Sequence, residues 1–273
     1  MSSDLPIFLS LGAGVQSTTL ALMAAQGACD LPMPTAAIFA DTGWEPRAIY
    51  EHLAWLETQL PFQVHRVQYG NLRDDTLRPR AGKQMANPPL FTINDDGSRG
   101  MLKRQCTQTY KIEPVQRKVR ELLGLQPRQR SPKDERCVQW IGISRDEAHR
   151  MKRSRKPFIR HEYPLVDLRM KRSNCVTWLR DRGYPEAPKS ACIGCPYHAD
   201  HYWRWLRDTA PEAWADAVDF DRGIRGGIRG TTAESLYVHA SRVPLDEVDL
   251  RSAEERGQLE LGFGNECEGV CGV

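Results

Sequence analysis

The sequence predicts an α/β protein built on a parallel, Rossmann-like sheet, and three observations predict it. Apolar, strand-type runs at residues 6–11, 35–40 and 137–143 each end at a polar or glycine-rich break. Good helix formers follow the first two breaks, at residues 17–25 and 46–60. Strand, turn and helix therefore alternate in the order of βαβ units, whose parallel strands are covered on both faces.

Taken in order, the first strand ends at Ser10-Leu11-Gly12-Ala13-Gly14-Val15-Gln16-Ser17 and a helix follows. The second is broken at Asp41-Thr42-Gly43, and Pro46 sits where an N1 proline starts a helix. A third strand is expected over residues 62–68, around Val64 and Val67. Residues 70–105 interrupt the rhythm with Asn87-Pro88-Pro89 and Asp95-Asp96-Gly97, an excursion facing an active site or a partner. Helix resumes over 112–123, and the fourth strand leads into Ser144-Arg145-Asp146-Glu147. Tryptophan-bearing helical stretches near 176–182 and 201–207 precede a glycine-rich piece at 223–230 and a cysteine-bearing tail. These features place a nucleotide-binding α/β domain over residues 1–170 and a helical, cysteine-bearing lobe over 171–273.

At 273 residues and 40% hydrophobic content, the chain can bury one main core and a small lobe. A net charge of only +3 does not by itself call for a polyanionic partner. The N-terminus has no basic and apolar leader, and no stretch approaches the ~20 apolar residues of a membrane span. A cytoplasmic protein is the expectation. In a reducing compartment its eight cysteines point to metal binding or thiol chemistry instead of disulfides.

Beyond the carboxyl ends of parallel strands, helix N-termini offer unpaired N–H groups and partial positive charge to anions. Gly12 and Gly14 let backbone approach an anion closely, and Ser10, Ser17 and Thr18 add hydroxyls. An ordinary strand-to-helix turn using glycine for geometry is the alternative. A Walker A loop is excluded, because no lysine lies between Met1 and Gly82. A dinucleotide fingerprint needs a third glycine where Ser17 stands, although Asp41 lies where a ribose-binding acid would sit.

The turn resembles the PP-loop of ATP pyrophosphatases, and Phe39-Ala40-Asp41-Thr42-Gly43-Trp44-Glu45-Pro46 is similar to the loop after their second strand. Two more segments, Gln105-Cys106-Thr107-Gln108-Thr109-Tyr110-Lys111-Ile112-Glu113 and Ile141-Gly142-Ile143-Ser144-Arg145-Asp146-Glu147, resemble the phosphoadenylylsulfate (PAPS) reductase-like branch. Together they span about residues 7–200 in the matching order. The resemblance implies ATP or a sulfonated adenylate, with Mg2+, held by Ser10, Gly12, Gly14, Gln16, Ser17, Thr18, Asp41, Thr42, Gly43, Lys111, Gly142 and Arg145. Where that family carries Asp before the last Ser of the turn, this chain has Gln16. Nucleotide binding is therefore expected on firmer ground than ATP cleavage.

Cys192-Ile193-Gly194-Cys195 is a pair spaced to share a metal, with His198 and His201 nearby. Cys106 lies where iron–sulfur adenylylsulfate reductases carry adjacent cysteines, though its neighbour here is Gln105. The resemblance thus implies a [4Fe-4S] cluster on Cys106, Cys192 and Cys195. Cys271, Cys267, Cys175 or His198 is the fourth ligand, or an iron is left open. Cys271 is taken as that ligand and Cys267, in Glu266-Cys267, as a redox or nucleophilic thiol, although the usual following His is absent. A Zn2+ site on Cys192, Cys195 and His198 or His201 is the alternative. Cys29 and Cys137 read as buried, inert thiols.

Arg150, Lys152, Arg153, Arg155, Lys156, Arg160, Arg169 and Lys171 form a basic stretch that suits nucleic-acid or nucleotide phosphates, or is a solvated face balanced by acids. Trp203, Trp205 and Trp214 are expected to be the core of the small lobe. The function expected is adenine-nucleotide-dependent sulfur transfer to a nucleic acid or nucleotide, with a sulfur or electron donor protein as a further partner. Adenylylsulfate reduction and a zinc-stabilised binding module are its rivals.

Overall fold

The computed structural model describes residues 5–79, 87–252 and 255–256. In chain order the strands are β1 (Ile7–Leu11), β2 (Ala36–Asp41), β3 (Val64–Gln68), β4 (Phe91–Ile93), β5 (Arg99–Met101), β6 (Cys137–Ile141), β7 (Ile159–Glu162) and β8 (Ser235–Tyr237). The helices are α1 (Val15–Ala25), α2 (Arg47–Gln59), α3 (Leu72–Leu77), α4 (Glu113–Leu122), α5 (Pro164–Asp167), α6 (Arg172–Arg180), α7 (Asp200–Thr209) and α8 (Pro211–Ile224). Five strands form one sheet in the order β3-β2-β1-β6-β7, and every pair in it is parallel. This is the α/β, Rossmann-like architecture that the alternating pattern predicts.

Period-two alternation divides each central strand between two cores. Leu9, Leu11, Ala37, Phe39, Val138 and Trp140 face α1, α2 and α6. Phe8, Ala36, Ile38, Ala40, Cys137 and Ile159 face the opposite way, toward Val115 and Val119 of α4. Toward the carboxyl ends of the strands, this second face changes from apolar to polar at Ser10, Gln139 and His161. The ligand space opens there.

Two features of the fold lie outside what the pattern predicts. β7 is a short edge strand, Ile-Arg-His-Glu, whose two central side chains are polar, so it carries no apolar run. The 70–105 excursion supplies β4 and β5, which join β8 in a small antiparallel sheet ordered β5-β4-β8. Leu72, Leu90 and Tyr110 then share a core with Trp203, Leu206, Phe220, Ile224 and Leu236, so the second lobe draws on two separate stretches of chain. Conversely, α6 lies beyond residue 170 but packs Cys175 and Leu179 into the core of the parallel sheet. Among the described residues, no helix is long and apolar enough to cross a membrane.

Candidate nucleotide and thiol site

β1 delivers the chain into Gly12-Ala13-Gly14 and α1 begins at Val15. Ala13 is fully buried at φ 55, and such left-handed residues within a turn make successive N–H groups converge into an anion-binding nest. The Ser17 hydroxyl closes the turn, accepting from the Gly12 N–H at 3.2 Å and donating to the Gly14 carbonyl at 3.3 Å. Gly142 is needed for close approach: a Cβ there would lie 3.0 Å from the Ser17 nitrogen. No acid occupies the first turn of α1, so its positive end is unopposed within the helix.

A cavity of about 180 Å3 lies against this turn, lined by Ser10, Gly12, Gly14, Gln16, Ser17, Lys111 and Gly142 among the expected residues. Its other charged walls are Arg150, Arg172, Lys189 and Glu147. Four cations against one carboxylate suit a polyanion such as a triphosphate. Gln16 is held in a polar chain, its Nε2 donating to Glu147 Oε2 at 3.0 Å and its Oε1 accepting from Arg172 at 3.1 Å. Arg150 pairs with the other oxygen of Glu147.

Five expected ligand contacts lie outside this cavity: Asp41, Thr42 and Gly43 belong to the loop after β2, and Thr18 and Arg145 are placed elsewhere. Thr18 is fully buried and its Oγ1 lies 3.0 Å from His52 Nε2, so it belongs to the α1–α2 contact and not to the cavity. Arg145 is exposed and outside the cavity lining, with its N–H donating to the Met170 carbonyl. The helical turn at Arg145–Arg150 carries the chain back, so that Arg150 faces the ligand space in its stead.

The loop after β2 braces a second, smaller cavity. Asp41 Oδ1 accepts from the Gly43 N–H at 2.7 Å and the Tyr50 hydroxyl at 2.8 Å. Gly43 adopts φ +68, the left-handed region that favours glycine. Thr42 is buried, donates to Glu45 Oε1 at 3.0 Å and lies 3.3 Å from Cys192 Sγ. Cys192, Cys195 and Cys106 line this cavity together with Thr42, Trp44, Gly194 and Lys111. At about 20 Å3 it admits little more than a water. Gly194 is required here, because a Cβ would meet the Trp44 ring at 2.1 Å. Lys111 faces both cavities and lies 3.4 Å from Glu45 Oε1. Cys106 precedes and Lys111 lies within a π-type turn over Thr107–Ile112, in which the Glu113 N–H reaches back to the Gln108 carbonyl.

Among the described residues, no group of three His, Cys, Asp or Glu is disposed to hold a metal ion. That holds for Cys106, Cys192 and Cys195 as for the zinc set; His198 Nε2 lies 2.9 Å from the Cys192 carbonyl, its Nδ1 is buried without a hydrogen-bond partner among the described residues, and His201 is exposed. Burial pushes His198 down to about 3, so it stays neutral. Cys175 is fully buried between α1 and α6, its thiol pushed up to about 11, in a different core from the other three cysteines. Cys137 is buried and pushed up to about 12, an inert thiol as expected, whereas Cys29 is exposed. Cys267 and Cys271 lie outside the described residues.

Sequence reasoning missed Gln139, His161, Arg172, Lys189 and Ser190 as cavity residues. The segment before the cysteine pair lies over the turn: Ser190 Oγ donates to the Gly12 carbonyl, and a Cβ on Gly14 would sit 3.1 Å from the Ser190 Cβ. The one available signal was that Pro188-Lys189-Ser190 stands one residue before Cys192. Of the basic stretch, Arg160 pairs with Glu135 and Glu162, while Lys152, Arg153, Arg155 and Lys156 are exposed.

No family model and no curated protein matches the chain. Solved structures similar to it include the following two. One is the PAPS reductase from Candida auris in its phosphate complex, 11% identical, with 68% of this chain and 76% of that one covered at a TM-score of 0.40. The other is the U34-tRNA thiolase NcsA from Methanococcus maripaludis with its [4Fe-4S] cluster, 11% identical, with 80% and 71% covered at a TM-score of 0.41. The fold itself stands on the strand order and registers given above.

Proposed function

We propose that this chain is a PP-loop enzyme of the PAPS reductase-like kind, binding an adenine nucleotide and transferring sulfur to a nucleic-acid or nucleotide acceptor. The observation that carries the reading is the adjacency of two unlike cavities across one side chain. Lys111 borders a cationic space at the phosphate turn on one side and a cavity lined by three cysteines on the other. A nucleotide site alone needs no thiols, and a thiol site alone needs no phosphate turn.

In this reading the turn's N–H groups, Lys111, Arg150, Arg172 and Lys189 hold the phosphates of ATP. Attack by an acceptor oxygen on the α-phosphorus would expel pyrophosphate, and those same cations face the charge that develops. Glu147 is the single carboxylate among the described lining residues, so Mg2+ would be held mainly by phosphate oxygens. Cys106, Cys192 and Cys195 are the donor set that would hold a [4Fe-4S] cluster, which supplies thiolate-bound iron for accepting sulfur or electrons. The 20 Å3 space must widen to take a cluster. Cys271 as fourth ligand and Cys267 as a redox thiol complete the proposal. The exposed Lys152, Arg153, Arg155 and Lys156 offer phosphate contacts to a nucleic acid.

Protein purified under nitrogen is expected to contain iron and acid-labile sulfide and to absorb near the visible bands of such clusters. Cys106→Ser, Cys192→Ser and Cys195→Ser should each lose most of the iron. With an acceptor, ATP should yield AMP and pyrophosphate. A colourless protein with stoichiometric zinc overturns the cluster, ADP as the product overturns the pyrophosphatase chemistry, and sulfite release from a sulfonated adenylate transfers the assignment to reduction.

A further inference from the structure

The larger cavity has a polar floor away from the phosphate turn. Strand pairing sets Gln139 of β6 directly opposite His161 of β7, and Ser10 of β1, whose own register partner is Ile141, reaches Gln139 through its side chain. All three line the cavity on a sheet face that is otherwise apolar. Gln139 is only 7% exposed, and its Nε2 donates to Ser10 Oγ at 2.7 Å. Its Oε1 is buried and has no hydrogen-bond partner among the described residues. A buried amide oxygen without a donor is destabilising, and native structures seldom leave one so. His161 Nδ1 lies 2.9 Å from the Lys152 carbonyl. A carbonyl only accepts, so Nδ1 carries the proton and Nε2 of the neutral ring keeps its lone pair. Two acceptors thus stand side by side in one register. Above them Ile38 and Ile141 of the sheet and Ile112 and Val115 of the covering helix line an apolar slot.

We propose that Gln139 and His161 read the base of the bound nucleotide. Gln139 Oε1, with His161 Nε2 beside it, accepts from the exocyclic amine of an aminopurine whose ring lies between the sheet and α4. An oxopurine would bring a carbonyl oxygen against two acceptors and leave Gln139 unpaired, which is how a polar site rejects an isostere. This inference rests on the reading of the cavity as an adenine-nucleotide site, and adds which residues select the base.

The test is calorimetric titration of the full chain with ATP, ITP, N6,N6-dimethyl-ATP and inorganic tripolyphosphate. The wild type should bind ATP about ten- to a hundredfold more tightly than ITP or the dimethyl analogue, the loss expected when a buried acceptor goes unpaired. In Gln139→Leu the ATP-to-ITP ratio should fall to about twofold, with tripolyphosphate as the phosphate-only reference. Equal binding of ATP, ITP and the dimethyl analogue by the wild type overturns the base-reading role while leaving the nucleotide site intact. A tenfold preference that survives in Gln139→Leu overturns the assignment to Gln139. Should that variant fail to fold, the dimethyl analogue on the wild type decides. Absence of any ATP or tripolyphosphate binding overturns this inference and the nucleotide site together.

Discussion

Gln16 is the residue at which this phosphate turn departs from the family it resembles, and its contacts give the departure a physical reason. An amide can donate and accept at once, and Gln16 does both, bridging Glu147 and Arg172 at 3.0 and 3.1 Å. A carboxylate could keep the arginine but would face Glu147 as a like charge across a hydrogen-bond distance. Gln16→Asp is therefore expected to weaken tripolyphosphate and ATP binding by about tenfold, the cost of one broken charged contact. Titration calorimetry at fixed ionic strength checks it, and tighter binding by the variant would show that the family's acid works in this setting. At this scale Lys111 and Gly142 were legible because each sits inside a motif. Arg150 was legible only as one member of the basic stretch, and Arg172 and Lys189 were not legible, because each reaches the cavity from a segment with no local signature of its own.

At the scale of elements, α1 and α2 lock together through a buried polar pair. Thr18 Oγ1 meets His52 Nε2, and burial lowers the imidazole to about 4. Its folded value lies below the ordinary value of 6.5, so the unfolded chain binds the proton more readily. The stability this neutral ring contributes is therefore complete above pH 6.5 and is lost as pH falls from 6.5 through about 4. His198, lowered to about 3, acts in the same direction. His52→Gln can still hydrogen-bond Thr18 but does not titrate. Denaturant melts at pH 7.5 and 5 should show a smaller loss of stability in the variant than in the wild type. Equal losses would assign the acid sensitivity to other groups. Elements with strong local patterns were legible, including α1, where Ala, Leu and Met are buried on nearly every side. The edge strand β7 was not, because one covered face and two central polar side chains leave too few apolar positions to mark it.

Across the whole molecule, the segment between α6 and α7 joins the two sites. Ser190 bonds the Gly12 carbonyl, and three residues later the Ile193 N–H donates to the Trp44 carbonyl at 2.9 Å. Phosphate turn, post-β2 loop and cysteine pair are thus tied by a single short stretch. Saturating tripolyphosphate should slow amide hydrogen exchange in residues 188–195 as well as in 12–18. Protection confined to 12–18 would show that the two sites are occupied independently. The sequence by itself determined the parallel α/β sheet and the glycine turn at its first strand, and it grouped Cys106, Cys192 and Cys195, which line one cavity. Hydrophobic period, glycine placement and the spacing of Cys192 and Cys195 are local signals that operate within a few residues of one another, whereas Cys106 joined that pair only through the family resemblance of its segment. Only the tertiary structure decided that the 70–105 excursion builds the second lobe, that Thr18 turns away while Arg172 and Lys189 turn in, and that Gln139 lies beside His161. Each of these depends on strand register and on contacts between residues far apart in the chain, which packing fixes and local sequence does not encode.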